Sequence, residues 1–235
     1  MSNKMPTFTL AQHAPLTCCV AVRAPQAIFD LLTVSLSGWD VRPEPEDTQV
    51  EPVIDVRDTG KLQVHSRSYT GARPHSDLIN TLNDVFIALA FCVRDSKRHF
   101  HLMHAAALKS GGEISLLFGS SKSGKSRYIA ERCVKGDVCI ADDLILRSET
   151  SGLCETLGIP LRLRRPVSLE IVQKIDSSTL LVGHSICYFT PATCALMPAG
   201  RVFSPDHLFQ FDEGYKLRTM DLSELDRLQL EHRIH

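Results

Sequence analysis

Residues 119–126 read Gly119-Ser120-Ser121-Lys122-Ser123-Gly124-Lys125-Ser126 and are the most informative segment of the chain. It matches the pattern G-x-x-x-x-G-K-[ST], whose glycines let backbone N–H groups curl around phosphate oxygens. The lysine of the pattern neutralises phosphate charge, and the serine hydroxyl reaches Mg²⁺. An apolar run precedes the loop and a helical pattern follows it, which is the setting that a phosphate-binding loop requires. The alternative is a glycine-rich turn that binds nothing.

The segments on either side of the loop predict its neighbours. Residues 99–109 and 114–118 predict two strands joined as a hairpin through Ser110-Gly111-Gly112. Residues 124–135 predict a helix that Gly136 ends in a left-handed conformation. A further strand follows at 138–141. The predicted order is therefore hairpin, glycine loop, helix and strand.

Two adjacent carboxylates, Asp142 and Asp143, come directly after that last strand. In a sheet built from adjacent strands they would emerge at the same edge as the loop. Carboxylates in that position can hold Mg²⁺ or take a proton from a hydroxyl group. Because neighbouring residues of a strand point in opposite directions, the pair suggests divided roles, one proton acceptor and one metal ligand. The alternative is an acidic transition from strand to loop.

Three histidines, His99, His101 and His104, lie just before the loop. Strand alternation puts His99 and His101 on one face and His104 on the other, so a three-histidine metal site is not expected. His104 lies within the apolar run 102–108, and burial of its ring would need a polar partner.

Several arginines are candidate contacts for phosphate or for an acidic substrate, because a guanidinium group binds such anions in a bidentate manner. The candidates are Arg162, Arg164, Arg165 and Arg201. Alternation places Arg162 and Arg164 on one face of a basic strand, 161–165. The alternative is a solvated edge strand.

The rest of the chain divides into two predicted regions. Residues 1–95, called here the front region, alternate short apolar runs with Pro and Gly breakers and predict a small, mostly antiparallel β-sheet. Residues 31–36 fit a strand or the end of a helix begun after Pro25. An amphipathic helix from about Ser76 to Val93 closes the front region. Trp39 is expected in the local core.

Residues 96–235 contain the loop and are predicted to be the nucleotide-binding region. Beyond the aspartates, the pattern predicts a hairpin at 149–152, a helix after Pro166 and an apolar strand at 186–189. Asp221 and Glu224 predict the capping box of a last helix. The fold class is α/β, or α+β overall, with a β-rich front region before the nucleotide-binding core.

Composition narrows the range of partners. The chain has 235 residues, a net charge of -1 and 43% hydrophobic residues, so broad nucleic-acid or membrane-surface binding is not expected. No apolar run is long enough to span a bilayer. The eight cysteines form no C-x-x-C pair, which argues against a zinc site. Their apolar settings and the absence of a signal-like start predict reduced thiols and a cytoplasmic location.

Three matched elements resemble the catalytic domain of HPr kinase/phosphorylase and the wider group of HPr-kinase-like serine kinases. They are a histidine on the strand before the loop, here His104, a loop that ends Gly124-Lys125-Ser126, and an Ala-Asp-Asp at 141–143. The resemblance covers about residues 100–165. It implies a phosphoenolpyruvate-carboxykinase-like core with a mixed sheet, and ATP and Mg²⁺ as cofactors. Arg201 matches a later arginine of the family only weakly.

The resemblance also implies roles for single residues. Lys125 and the loop amides would bind the ATP phosphates, and Ser126 and Asp143 would hold Mg²⁺. Asp142 would take the proton of the acceptor hydroxyl, assisted by His104. The hexamers of the family make self-association plausible. The compact relatives include kinases that phosphorylate serine in a precursor peptide.

The expected function is therefore transfer of the ATP γ-phosphate to a serine hydroxyl of a peptide or small protein. Two alternatives stay open. One is a small-molecule kinase or carboxykinase-like enzyme on the same fold, and the other is a nucleotide-sensing binding module without catalysis.

Overall fold

Alternating apolar residues build the first sheet of the front region. The computed structural model describes residues 5–12, 18–45, 51, 53–211, 216–221 and 224. The strands of the sheet are β1 (Thr7–Gln12), β2 (Cys19–Arg23), β3 (Trp39–Pro43), β4 (Ile54–Asp58) and β5 (Leu62–Ser66). Their order in the sheet is β3-β1-β2-β4-β5, and within it only the β2–β4 pair is parallel. The mostly antiparallel sheet predicted for this region is thus confirmed.

Helix α1 (Gln26–Ser35) occupies the segment whose pattern fitted either a strand or a helix. Its buried residues Ile28 and Leu32 are four positions apart and lie on one helical face. Proline at the N-cap fixes the extended conformation from which the helix begins.

Helix α2 (Leu78–Ser96) is the long amphipathic helix that the sequence predicted. It begins two residues after Ser76, because the side chain of Asp77 caps it by accepting a hydrogen bond from the Ile79 N–H at 2.7 Å. Its buried face packs against the first sheet and against strands of the second region. Leu78, the first residue of the helix, is exposed.

The prediction of a single strand at 99–109 is wrong, because the strand is interrupted at His104 and Ala105. The two halves are β6 (Phe100–Met103) and β7 (Ala106–Ser110). They belong to different sheets, since β6 pairs with β10 (Ile145–Ser148) whereas β7 pairs with β8 (Glu113–Phe118). The break leaves His104 between two sheets.

A mixed five-stranded sheet carries the loop, in the order β17 (Leu217–Thr219), β16 (His207–Phe211), β8, β7 and β9 (Val138–Ala141). Strand β7 is antiparallel to both β8 and β9, so β8 and β9 run in the same direction. The loop and the aspartates therefore emerge at one edge, as expected, although β7 lies between their strands. Strands β16 and β17 complete the sheet on the other side of β8.

Helix α3 (Lys125–Cys133) follows the loop, and Gly136 beyond it has a φ of +100°. This confirms the predicted left-handed end. The predicted hairpin around 149–152 is also present, between β10 and β11 (Cys154–Glu155). Asp221 and Glu224 exchange the two hydrogen bonds of a capping box, while the rest of that predicted helix lies outside the described residues.

The remaining elements are β12 (Leu161–Arg164), α4 (Leu169–Val172), the 3₁₀ helix Ser177–Thr179, β13 (Leu180–Val182), β14 (Ile186–Phe189) and β15 (Val202–Phe203). Strand β11 pairs with β15, and β12 pairs with β14, which also pairs with β13. The helix predicted after Pro166 is a single turn, α4.

One hydrophobic core joins the front region to the second region. It combines residues of the first sheet and of α2 with Leu102, Leu146 and Tyr188. Trp39 is buried, as predicted, and its Nε1–H donates to the Leu157 carbonyl at 2.8 Å. The boundary at 95/96 stays a prediction, and it falls within the last turn of α2. No helix of the described residues combines the length and apolarity needed to cross a membrane.

Candidate functional site

The loop between β8 and α3 owes its shape to backbone conformations that favour glycine. Gly119 and Gly124 have φ angles of +144° and +100°, and Lys122 between them has +71°. A Cβ atom on Gly119 would lie 2.8 Å from Ser123 Oγ and 3.1 Å from Phe211 Cβ. The backbone can thus turn sharply here only because the first residue has no side chain.

Two buried polar groups lie within the loop. Lys125 Nζ donates to the carbonyl oxygens of Gly119, at 2.7 Å, and Ser120, at 3.1 Å. Burial lowers the pKa of Lys125, while the charges of Asp143 and Asp142 act in the opposite direction. The Ser123 hydroxyl oxygen is buried and has no hydrogen-bond partner among the described residues. The loop therefore contains a desolvated cation and an unpaired hydroxyl, both of which an anion would satisfy.

Asp142 is the more buried of the two aspartates. Its Oδ2 accepts the Arg162 backbone N–H at 3.0 Å, and its Oδ1 is buried without a hydrogen-bond partner in the described part of the chain. Burial and the adjacent charge of Asp143 raise the pKa of Asp142 to about 7, although the neighbouring Ser126 hydroxyl acts to lower it. Asp142 is thus a carboxyl group that can gain or lose a proton near neutral pH.

Asp143 is held as an anion. Its Oδ1 lies 2.9 Å from His104 Nε2, and its Oδ2 accepts a short hydrogen bond from the Arg162 guanidinium. Burial alone would raise the pKa of Asp143, but the bond from His104 and the charge of Arg162 outweigh it and lower the pKa to about 2. The resemblance implied that His104 assists Asp142, whereas the structure pairs it with Asp143.

Arg162 is a structural part of the site. Its side chain is largely buried, and besides Asp143 it donates to Asn83 Oδ1 at 2.6 Å. The same oxygen accepts the Tyr188 hydroxyl at 3.0 Å. A solvated edge position for Arg162 is therefore excluded. Sequence reasoning missed Asn83, whose one signal is a polar pair, Asn83-Asp84, within the apolar pattern of α2.

A cleft of about 630 Å³ brings most of these groups together, but Asp142 does not line it and faces a smaller cavity with Asn83 and Tyr188. Among the predicted residues, it is lined by His104, Asp143, the loop residues Ser121 to Ser126, Arg162 and Arg164. Its remaining wall is mainly apolar and includes Tyr128, Val167, Ile171 and Phe211. Arg164 reaches the loop, with its guanidinium 3.3 Å from Ser121 Oγ.

Arg201 does not belong to this site. It is exposed, and its backbone N–H donates to Thr156 Oγ1 at 3.1 Å, beside β15. It is absent from the lining of the cleft among the residues that the structure describes. The structure therefore places Arg201 outside the lining of the cleft, away from the other predicted contacts Arg162 and Arg164.

The oxygen donors at the cleft suit Mg²⁺. No group of three or more His, Cys, Asp or Glu side chains that could hold a metal occurs within the described residues. Mg²⁺ instead commonly binds one or two carboxylates together with phosphate oxygens of a substrate and water. The Ser126 hydroxyl and the Asp143 carboxylate, which line the cleft, provide that kind of ligand.

The comparisons with known proteins add no relative. No protein-family model matches the chain, and no curated protein is significantly similar to it.

Proposed function

We propose that the protein is an ATP- and Mg²⁺-dependent kinase that transfers the γ-phosphate to a serine hydroxyl of a peptide or small protein. This is also the function that the resemblance to HPr-kinase-like serine kinases implies. One observation carries the proposal: the glycine loop and the aspartate pair emerge at the same edge of one sheet. At that edge Ser123 Oγ and Asp142 Oδ1 are both buried and unpaired within the described residues.

The loop and the cleft supply the features that a nucleotide needs. Backbone N–H groups at the start of α3 and the Lys125 ammonium would bind the phosphates. Phosphate oxygens would replace the loop carbonyls as partners of Lys125. The apolar wall at Tyr128, Ile171 and Phe211 would pack against the base, and the cleft volume falls in the usual range for ligand sites.

Ser126 and Asp143 would hold Mg²⁺, with Asp142 beside them. Bound there, the ion would neutralise charge on the transferring phosphoryl group. Asp143 suits a constant anionic role, because Arg162 and His104 keep its pKa far below neutral. His104 then acts as a positioning residue for Asp143.

Asp142 is the proposed proton acceptor. A general base works best when its pKa lies near the pH at which the enzyme operates, and burial raises the pKa of Asp142 to about 7. Its Oδ1 has no partner within the described residues and can accept a proton without breaking an existing hydrogen bond. Asp142 would thus take the serine proton as the hydroxyl oxygen attacks the γ-phosphorus.

The test combines nucleotide binding with transfer to peptides. Wild-type protein is incubated with ATP, Mg²⁺ and a panel of serine peptides, and the products are identified by mass spectrometry. Lys125→Ala should weaken ATP binding about tenfold or more, whereas Asp142→Asn should keep ATP binding and lose transfer by at least about a hundredfold. Asp30→Asn, an exposed change on α1, is the matched control.

Two results would contradict these assignments. Unchanged turnover in Asp142→Asn would remove it as the proton acceptor. If Asp143→Asn instead lost transfer while keeping Mg²⁺ and ATP affinity, the two roles would be exchanged. Tight retention of ATP with no product from any peptide or small hydroxyl compound would favour the nucleotide-sensing alternative.

A further inference from the structure

A second cavity, of about 390 Å³, adjoins the candidate nucleotide cleft. The two share Arg162 and Arg164 as lining residues, and Arg162 also donates to Asp143 of the aspartate pair. We call it the basic groove and define it by Arg73, Arg164 and Arg165. Arg73 comes from the segment before α2, and the other two come from β12 and the residue that follows it.

The positive charges of the basic groove are not compensated by the fold. The Arg162 guanidinium is paired with Asp143, and His75, which also lines the cavity, lies 3.1 Å from Asp84. The three defining arginines have no such carboxylate partner among the described residues. The Arg164 guanidinium donates to the Ser121 hydroxyl at 3.3 Å, and the Arg165 guanidinium donates to the Gly183 carbonyl at 2.7 Å.

Arg73 is the clearest example of an arginine in the basic groove whose charge is not compensated. It is exposed and makes no hydrogen bond or ion pair with any residue that the structure describes. No Asp or Glu of the described ranges lines the cavity. Like charges held close together repel, and the chain as a whole carries a net charge of only -1. A local excess of three positive charges beside the site therefore points to an anionic ligand.

We propose that the basic groove binds acidic side chains next to the acceptor serine, so that the protein selects acidic peptides. The inference rests on the proposed function for the serine transfer itself. A peptide suits the groove better than a compact anion does, because the arginines come from two separate chain segments and the cavity is much larger than one phosphate group. Asn80 and Ser185, which bond to each other at 3.1 Å, add polar groups that an extended backbone can contact.

Direct binding tests the groove without requiring catalysis. The probe is a fluorescein-labelled decapeptide with one serine flanked by glutamates, and its partner has glutamines instead. Fluorescence anisotropy with the full chain should show at least about tenfold tighter binding of the glutamate peptide, weakening as salt is raised. Arg73→Glu should reduce that affinity at least about fivefold, and Arg165→Gln should also reduce it. Arg67→Glu, which is exposed but outside the groove, should not.

Steady-state kinetics should show the same dependence on Arg73 as peptide binding does. With the glutamate peptide, Arg73→Glu should raise the peptide KM and leave kcat and the KM for ATP unchanged, because Arg73 does not line the nucleotide cleft. Equal binding of the two peptides, or an Arg73→Glu protein that binds both like wild type, would overturn the proposal. So would citrate or inorganic phosphate binding that depends on Arg73 when neither peptide binds.

The two proposals can fail separately. Arg73-dependent binding of the glutamate peptide without any phosphate transfer would remove the kinase proposal and leave the groove as a docking site. Equal phosphorylation of the glutamate and glutamine peptides would support the kinase and overturn the selection of acidic peptides.

Discussion

The Nε2 atom of His104 lies 2.9 Å from Oδ1 of Asp143, and the break between β6 and β7 is what allows this contact. A continuous strand would have kept the histidine within one sheet. Because the chain leaves β6 at this point, the imidazole can turn toward the carboxylate that also accepts from Arg162. Asp143 is thereby fixed from two sides.

His104→Ala should lower kcat by about 10–100-fold, because ligand-orienting hydrogen bonds typically contribute that much at metal sites. The KM for ATP should change little, and the Mg²⁺ concentration needed for half-maximal rate should rise. His104→Gln, whose amide can still donate to Asp143, should recover part of the rate. Equal losses in the Ala and Gln variants, with no change in the Mg²⁺ requirement, would rule out a positioning role.

Asp142→Asn should make the ligand-free protein more stable above neutral pH. The folded pKa of Asp142 is raised to about 7 from its usual 3.8, so its contribution is present at low pH and is lost as the pH rises through 7. At pH 8 the variant should gain about 2–4 kcal/mol in the free energy of unfolding. Urea denaturation at pH 5 and pH 8 measures it, with Asp30→Asn as control. If Asp142→Asn differs from wild type by the same free energy of unfolding at pH 5 and at pH 8, the pKa of Asp142 is not raised.

Gly158→Ala should destabilise the junction between the front region and the rest of the chain. Gly158 has a φ of +65°, and a Cβ atom there would lie 2.0 Å from the Ser37 carbonyl oxygen. We expect a loss of about 3 kcal/mol or more in thermal or urea unfolding.

Gly111→Ala separates the effect of conformation from that of contact. Gly111 also has a positive φ, +58°, but a Cβ atom would meet nothing within 4 Å. It should therefore lose only about 1 kcal/mol. Equal losses at the two glycines would mean that the close approach to Ser37 contributes nothing.

The fragment 96–235 should fail to fold by itself, because it lacks nearly all of α2. Leu102, Leu146 and Tyr188 belong to the core that α2 completes, and the fragment would expose them to water. Circular dichroism should show no cooperative melting, whereas the full chain should melt in one transition. A fragment that melts cooperatively and binds ATP would establish residues 96–235 as an independent domain.

The sequence predicted the loop, its helix and the aspartate pair because their signals are local. A glycine pattern, a helical period and a strand end can all be recognised within a few residues, and β8, α3 and β9 lie where these signals place them. The ambiguous segment at 31–36 became a helix through contacts of α1 with the first sheet and α2, which no local pattern contains.

The predictions that are wrong concern segments whose structure depends on contacts with residues far away in the sequence. Residues 102–108 are apolar on both faces, so their periodicity could not show that His104 ends one strand and Ala106 begins another. Arg162 was compatible with a solvated strand because its partners, Asn83 and Asp143, are 79 and 19 residues away in the sequence. Arg201 matched a family position only weakly, and the fold carries it to another surface.

Helix α2 links the packing of the front region to the contacts of Arg162. Its apolar face completes the shared core, while Asn83 on the same helix bonds to Arg162 at the site. The front region and the loop region therefore cannot be exchanged between proteins as separate cassettes. A replacement front region would bring a different α2, and with it a different partner for Arg162. A substitution in α2 that changes the packing of the front region can therefore also change the position of Arg162.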